Sequence, residues 1–286
     1  MNNWYLLSLI ALLLLGAQRF LYKVAAEKGC RSALTTTCFM ATVTVVSATI
    51  FFAGGAAERN PSTLLILALL NSSSFALATI SHIEALRHLP AGVTFPLTRL
   101  SLAGVLLVSL LFFGERLQPQ HWLGLLLGAL AVLLLSREAH RETRPGGNLR
   151  LGLLFIASSI LCAVVATVSS KLAAESVSKS GFIALSYLLG SGFSLIIEKT
   201  WKKAERPGNL PAEILIGCAM GVLNFLGFYA FLAALEKGPL ALVALISGMH
   251  FVIAVILSVL IYREKLTWYR GAGILLTLLM VYFLYR

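Results

Sequence analysis

"FFGERLQPQHWLGLLLGAL", residues Phe112–Leu130, sets a glycine, a glutamate and an arginine between two apolar runs. "IYREKLTWYRGAGILLTLL", Ile261–Leu279, repeats that arrangement 149 positions later. Leucine matches are cheap in a chain this apolar. Glu115 against Glu264 and Gly124 against Gly273, in one register, are not. The repetition directs the reading of everything between and around the two stretches.

The 286 residues are 58% hydrophobic and 12% charged, with a mean hydropathy of +0.88. Soluble domains carry about a quarter charged residues, so this chain lies outside that class. All twelve acids are glutamates. A helix needs about 20 apolar residues to cross hydrocarbon, at roughly 1.5 Å per residue. Ten such runs are present: 4–22, 33–53, 63–86, 91–113, 119–136, 151–170, 180–197, 212–235, 239–262 and 268–285. Helix is the required state, because lipid offers backbone amides no partner, and the alternating polarity of a barrel strand is missing. The first run lacks a basic n-region and nine more follow it, so it reads as a span and not a signal peptide. Cys30, Cys38, Cys162 and Cys218 have no metal or redox spacing and read as small apolar fillers. The net charge of +11 sits in short loops, where it suits orientation and anionic lipid head groups and not nucleic acid.

The polar stretch "SREAHRETRPGGNLR", Ser136–Arg150, divides the chain into halves of five spans. The predicted organisation is a first five-helix repeat over 1–137, a polar linker over 138–150 and a second repeat over 151–286. At the same offset Pro90 falls on Pro239, and Ser109, Leu111 and Leu117 fall on Ser258, Leu260 and Leu266. Lys23 matches Lys171 at an offset of 148. Five is odd, so the second copy must enter the membrane upside down. The expected fold class is therefore an all-α polytopic membrane protein, ten transmembrane helices as two inverted five-helix repeats. Such repeats are a feature of secondary transporters that alternate access around a midplane site.

The residues that carry the repeat also carry a family resemblance. A short loop with proline, a long apolar helix, Gly-Glu-x-Leu, then a helix opening with an aromatic residue and glycine resembles the EamA pattern of the drug/metabolite transporter superfamily. The pattern occurs at Pro90–Gly128 and again at Pro239–Thr277, and "NFLGFYAFLAALEKGP", Asn224–Pro239, resembles that family's eighth span. The resemblance implies ten spans in a bacterial-type inner membrane and export or exchange of small organic solutes without a cofactor. Span one offers "LLLLGAQRF" in place of the family's Trp-Gly, and span two has no arginine. Substrate details therefore do not transfer.

Ionisable side chains inside spans are expensive, so each is a functional candidate. Here they are Arg19, His82, Glu84, Arg99 and His250. Glu84 and Arg99 flank Pro90 by six and nine residues, which allows similar depth in antiparallel spans, with His82 beside them. The alternative for His82 and Glu84 is a snorkelling interfacial position. Arg99 lies deeper, in "FPLTRLSLAG", where Pro96 frees a backbone carbonyl; it is the leading candidate for holding an anion such as a carboxylate. His250 in "SGMHF" sits near mid-depth and is a candidate carrier of a coupling proton, its unperturbed pKa being about 6.5. A neutral imidazole bonded to a neighbouring helix is the structural alternative. Asn71 in "NSSSF" and Asn224 in span eight either line water or glue helices. Phe228 and Tyr229 give span eight an aromatic face that suits an aromatic solute or simple packing. Lys23 and Lys171 read as interfacial anchors.

At the repeated corner, Pro119 suits the first turn of span five and Thr267 an N-cap for span ten. Glu115 and Glu264 are expected beside those helix N-termini, where negative charge is favoured. Gly124 with Gly128, and Gly273 with Thr277, form small-residue faces for close packing. Of the lysines and arginines, 15 lie on odd-numbered connections and six on the other side. The positive-inside rule then puts both termini outside, whereas the resemblance implies cytoplasmic termini. The leading function is a secondary carrier of small metabolites such as amino acids or related anions, a monomer or homodimer, with proton coupling carried by His250. The alternatives are a multidrug or lipid-linked flippase, or a membrane scaffold. Neither a metalloprotease motif nor an Asp pair supports an enzyme.

Overall fold

Each apolar run folds as helix because its backbone hydrogen bonds must close within the segment. The computed structural model describes residues 3–54, 58, 60–89, 94, 97–138, 148–200, 209–263 and 267–285. The expectations for Pro90, Pro96 and Glu264 fall outside the described residues. The helices are α1 (Asn3–Glu27), α2 (Ser32–Ala53), α3 (Pro61–His88), α4 (Ser101–Phe112), α5 (Pro119–Glu138), α6 (Leu149–Ser176), α7 (Lys179–Thr200), α8 (Leu210–Lys237), α9 (Leu240–Gly248), α10 (His250–Tyr262) and α11 (Trp268–Tyr285). Among the described residues no strand occurs. Among the described residues six segments are long and apolar enough to cross a membrane: α1, α2, α3, α6, α8 and α9 with α10 taken together. Shorter apolar helices form α4, α5 and α11. The molecule is an all-helical polytopic membrane protein.

The fourth and ninth runs differ from the single helices expected of them. Leu97 and Thr98 are helical, a turn follows in which Leu100 N–H donates to the Leu97 carbonyl at 3.0 Å, and α4 starts at Ser101. In the ninth run α9 stops at Gly248, Met249 N–H donates to the Ile246 carbonyl at 3.2 Å, and α10 starts at His250. Both bonds span three residues, a tightening that marks a local break in the α-helical ladder. Ser101 and His250, the first residues of the resumed helices, are separated by the same 149 positions as the two corners. Glycine at 248, a weak helix former, supplies one physical reason for the second break.

The most extensive helix contacts join an element before residue 139 to one after residue 147. α1 packs on α8 and α10, α6 packs on α3 and α4, α2 packs on α7 and α8, and α5 packs on α11. The α5–α11 seam uses the small residues expected of it. A Cβ at Gly124 would lie 2.7 Å from Leu284 Cδ2, and one at Gly128 would lie 2.8 Å from Met280 Sδ. Tyr5 Oη closes the end of α1 onto α11 by donating to the Val281 carbonyl at 2.9 Å.

The repeated corner is a left-handed turn in both copies. Gly114 has φ 61° and Arg263 has φ 52°, at matched positions following α4 and α10. Glycine occupies that region freely, while a side chain at Arg263 adds strain. Thr267 caps α11 as expected, accepting from Arg270 N–H at 3.3 Å. Glu115 behaves differently from expectation. Instead of lying at the N-terminus of α5, it reaches the other half of the chain. Its carboxylate accepts from Leu240 N–H at 2.5 Å and Ala241 N–H at 3.3 Å, and from the Ser109 hydroxyl. Pro239 occupies the N-cap of α9 and has no side-chain acceptor, so the first amides of that helix depend on Glu115.

Two further helix starts are tied in the same way. Glu213, whose side chain is fully buried in the first turn of α8, accepts from Arg31 N–H at 2.8 Å and from the Arg31 guanidinium at 2.9 Å, at the start of α2. Glu58, ahead of α3, accepts from Ser178 N–H at 2.9 Å, at the start of α7. Lys171 departs from its reading as an interfacial anchor. It is buried and donates to the Leu235 and Gly238 carbonyls, at 2.5 and 3.1 Å, where α8 ends.

Two outcomes test this frame by thermal unfolding in detergent. Arg263→Gly relieves the left-handed strain and raises stability by roughly 0.5–1 kcal/mol, while Gly114→Ala lowers it by about 1 kcal/mol. Glu115→Gln removes the charge from the α9 cap and lowers stability by about 1–2 kcal/mol. An unchanged melting midpoint for Glu115→Gln contradicts the cap's role.

Candidate functional site

The two helix breaks meet a common space. A cavity of about 360 Å³ lies between α1, α3, α4, α6 and α10. Arg19 reaches it from α1 and His82 from α3. Thr98, Arg99 and Ser101 reach it from the turn before α4 and that helix's first residue. Ser159 and Ala163 of α6, with His250 and Phe251 at the start of α10, complete the lining. This volume is at the lower end of the range for small-molecule sites, about 300–1,000 Å³.

Local backbone geometry positions these groups. The breaks place Arg99 and His250 at bends where the helices resume, so both side chains reach the space between helices. Close approach of α1 fixes the opposite wall. A Cβ on Gly16 would sit 2.7 Å from the His250 carbonyl oxygen and 2.4 Å from Ile253 Cβ, so only glycine admits that spacing. Arg19 is less than one turn further along α1. The wall between α3 and α6 is polar: Ser159 Oγ donates to the Ala78 carbonyl at 2.9 Å, and the Ser81 and Ser158 hydroxyls pair at 3.1 Å.

The charge is one-sided. Arg19 and Arg99 are permanent cations, and among the described residues the lining contains no carboxylate. Arg99 lies over the Phe251 ring, its Cζ 5.0 Å from the centroid, and Arg19 lies 5.8 Å from that of Tyr22. His250 Nδ1 is 2.8 Å from the Ser247 carbonyl. A carbonyl only accepts, so Nδ1 carries the proton in that bond and Nε2 is left with the lone pair. The N-termini of α4 and α10 add the positive ends of two helix dipoles. The arrangement favours an anion or a strongly polarised acceptor group.

Of the sequence candidates, Arg99, His82 and His250 come together here. Glu84, two residues beyond His82 on α3, is half-buried and outside the lining. Asn71 holds α3 to α6, its Nδ2 donating to the Ala166 carbonyl at 2.7 Å and to the Ser170 hydroxyl at 3.0 Å. Asn224 accepts from Tyr187 Oη at 2.5 Å and holds α7 to α8. Phe228 packs with Tyr187 and Phe231, at centroid distances of 6.3 and 5.9 Å. Tyr229 is exposed, 5.9 Å from the Phe225 ring. These four belong to helix contacts and not to the cavity. Arg19, read from the sequence only as an ionisable residue inside an apolar run, also joins the site, while Thr98, Ser159 and Phe251 carry no sequence signal of their own.

Known proteins agree with the architecture. The EamA-like transporter family matches this chain twice, over residues 2–137 and 150–286. A solved structure described as "Crystal structure of protein" superposes with a TM-score of 0.77 at 19% identity, over 99% of this chain and 98% of that one. At that identity the likeness concerns the fold alone. The probable 4-amino-4-deoxy-L-arabinose-phosphoundecaprenol flippase subunit ArnE of Pectobacterium atrosepticum is 38% identical over 53 residues. That match spans 18% of this chain and 47% of the relative's length. With both halves of its helical frame matched, the chain belongs to the EamA-like transporter family and is a multi-pass membrane transporter of the cell membrane.

Proposed function

We propose that this chain is a secondary active carrier, an exporter or exchanger of small organic metabolites such as amino acids or related anions. It spans the membrane ten times as two inverted five-helix repeats, 1–137 and 151–286 joined by the linker 138–150, and alternates access around the cavity. The observation that carries this reading is the cavity itself, lined by Arg99 and His250 at matched breaks in the fourth and ninth runs. Secondary transporters place substrate near the midplane at discontinuous helices, with half-helix N-termini facing anionic groups.

The exchange of packing partners supports the inverted repeat. The α1–α8 contact has its counterpart in α6–α3, and α1–α10 has its counterpart in α6–α4. Swapping the conformations of two such halves turns an inward-facing state into an outward-facing one. In this scheme Arg99 holds the anionic group of the solute by charge-assisted hydrogen bonds. His250, with Nε2 available, is the group that takes up and releases the coupling proton in this scheme.

A flippase reading has one observation in its favour, the likeness to a flippase subunit named for a phosphoundecaprenol-linked sugar. An anion-seeking cavity suits a lipid phosphate as well as a free carboxylate. Transbilayer movement of a fluorescent polyprenyl phosphate in protein-containing vesicles, absent from protein-free ones, supports that reading over a soluble solute.

Counterflow in proteoliposomes, with a panel of amino acids and organic anions, tests the leading reading. Arg99→Ala inserts normally and loses at least ~100-fold in flux, corresponding to a charge-assisted contact of about 3 kcal/mol. Near-normal flux refutes the role of Arg99. His250→Gln keeps exchange at equal pH and loses uptake driven by a pH gradient. Unchanged pH-gradient drive returns His250 to a structural role.

A further inference from the structure

Arg19 and Arg99 stand on different elements and face one cavity. Among the described residues neither makes an ion pair; their recorded contacts are with the faces of Tyr22 and Phe251. Two like charges sharing a small space inside a membrane protein repel each other, and water is a poor substitute for a counter-charge there. Five of the described acids are engaged elsewhere. Glu115 caps α9, Glu213 pairs with Arg31, Glu175 with Lys171, Glu236 with Lys179, and Glu58 caps α7. None of them lines the cavity.

We infer that the cavity binds a compact dianion, a solute bearing one phosphate monoester or two carboxylates, held by Arg19 and Arg99 together. This rests on the carrier reading and adds a substrate class to it. A guanidinium presents a planar fork of donors that matches carboxylate and phosphate oxygens in pairs. With two such forks, a dianion leaves the site neutral, whereas a monoanion leaves one positive charge uncompensated. Ser101 and Ser159 add hydroxyl donors, and the N-termini of α4 and α10 contribute in the same sense. The charge count also bears on the source. A phosphodiester such as a lipid-linked sugar carries one negative charge, and a phosphate monoester carries up to two. Both a free solute and a monoester lipid head group satisfy the chemistry.

Thermal unfolding of the full chain in nanodiscs of neutral lipid tests this, with glycerol 3-phosphate, succinate, dimethyl phosphate and alanine as probes at pH 8. Glycerol 3-phosphate or succinate is expected to raise the midpoint, at concentrations at least ~10-fold lower than dimethyl phosphate or alanine require. Arg19→Gln and Arg99→Gln each remove that preference, Arg19→Lys and Arg99→Lys retain part of it, and Lys237→Gln on the far end of α8 leaves it intact. A parallel arm replaces the free probes with phosphatidic acid in the nanodisc. A shift with glycerol 3-phosphate assigns a free solute, and a shift with phosphatidic acid alone assigns a lipid head group; both support a dianion site. Equal response to dianions and monoanions, or wild-type behaviour of Arg19→Gln, overturns it. Should the Gln variants fail to fold, the probe preference of the wild-type protein and the Lys variants still decides. The carrier reading fails separately. Dianion binding without flux of any solute sinks transport alone, and flux of neutral or monoanionic solutes without dianion preference sinks this inference alone.

Discussion

The carboxylate of Glu115 on the first amides of α9 is the contact on which the rest of the arrangement turns. A helix that begins inside a membrane protein exposes N–H groups that neither lipid nor its own backbone can satisfy. Here Pro239 removes the side-chain acceptor that such a start ordinarily uses, and a glutamate from 125 residues earlier takes its place. The same solution recurs where Glu213 meets Arg31 and where Glu58 meets Ser178. In each case an acid of one half satisfies a helix start in the other. Because chain halves that share caps cannot drift apart, their relative placement is held by directional bonds as well as by apolar packing. In lipid, apolar packing alone gives little preference for protein over solvent.

That division of labour explains the polarity of the cavity. Glu115, Glu213, Glu58, Glu175 and Glu236 are engaged at helix ends or in ion pairs, and the described lining of the cavity holds cations without a carboxylate. Arg19 and Arg99 then define an electrostatic demand that no carboxylate of the described lining meets. Gly16 contributes by letting α1 approach the His250 carbonyl closely enough for Arg19 to share the space.

Much of this was legible in the residues. Run length and hydropathy point to the helical membrane class, and Glu115, Gly124 and their partners mark a repeat in the sequence itself. Thr267, Pro119, Gly124 and Gly128 do what local rules say of them, because caps and small-residue seams depend on a few neighbours. Glu115 was misplaced for the opposite reason: its partner lies 125 positions away, and no local rule points there. Asn71 and Asn224 were ambiguous because a polar side chain facing a helix and one facing water look alike in sequence. The breaks at Arg99–Leu100 and Gly248–Met249 left only a glycine and a proline as traces, within runs otherwise apolar enough to read as continuous.

The matched lysines show where the two halves part company. Lys171 is buried against the C-terminal carbonyls of α8 and pairs with Glu175, whereas Lys23 lies with its Nζ 5.0 Å from the Tyr262 ring at the end of α10. The seams that contain them also differ. α3 meets α6 through Asn71 and serine hydroxyls, while α8 meets α1 through Gly227, where a Cβ would lie 2.9 Å from Leu15 Cγ. Two identical halves would give an alternating carrier two equivalent states of equal energy, neither favoured. Under the inverted-repeat reading, unequal seams bias one state over the other, and a solute or proton must supply the difference to reverse it.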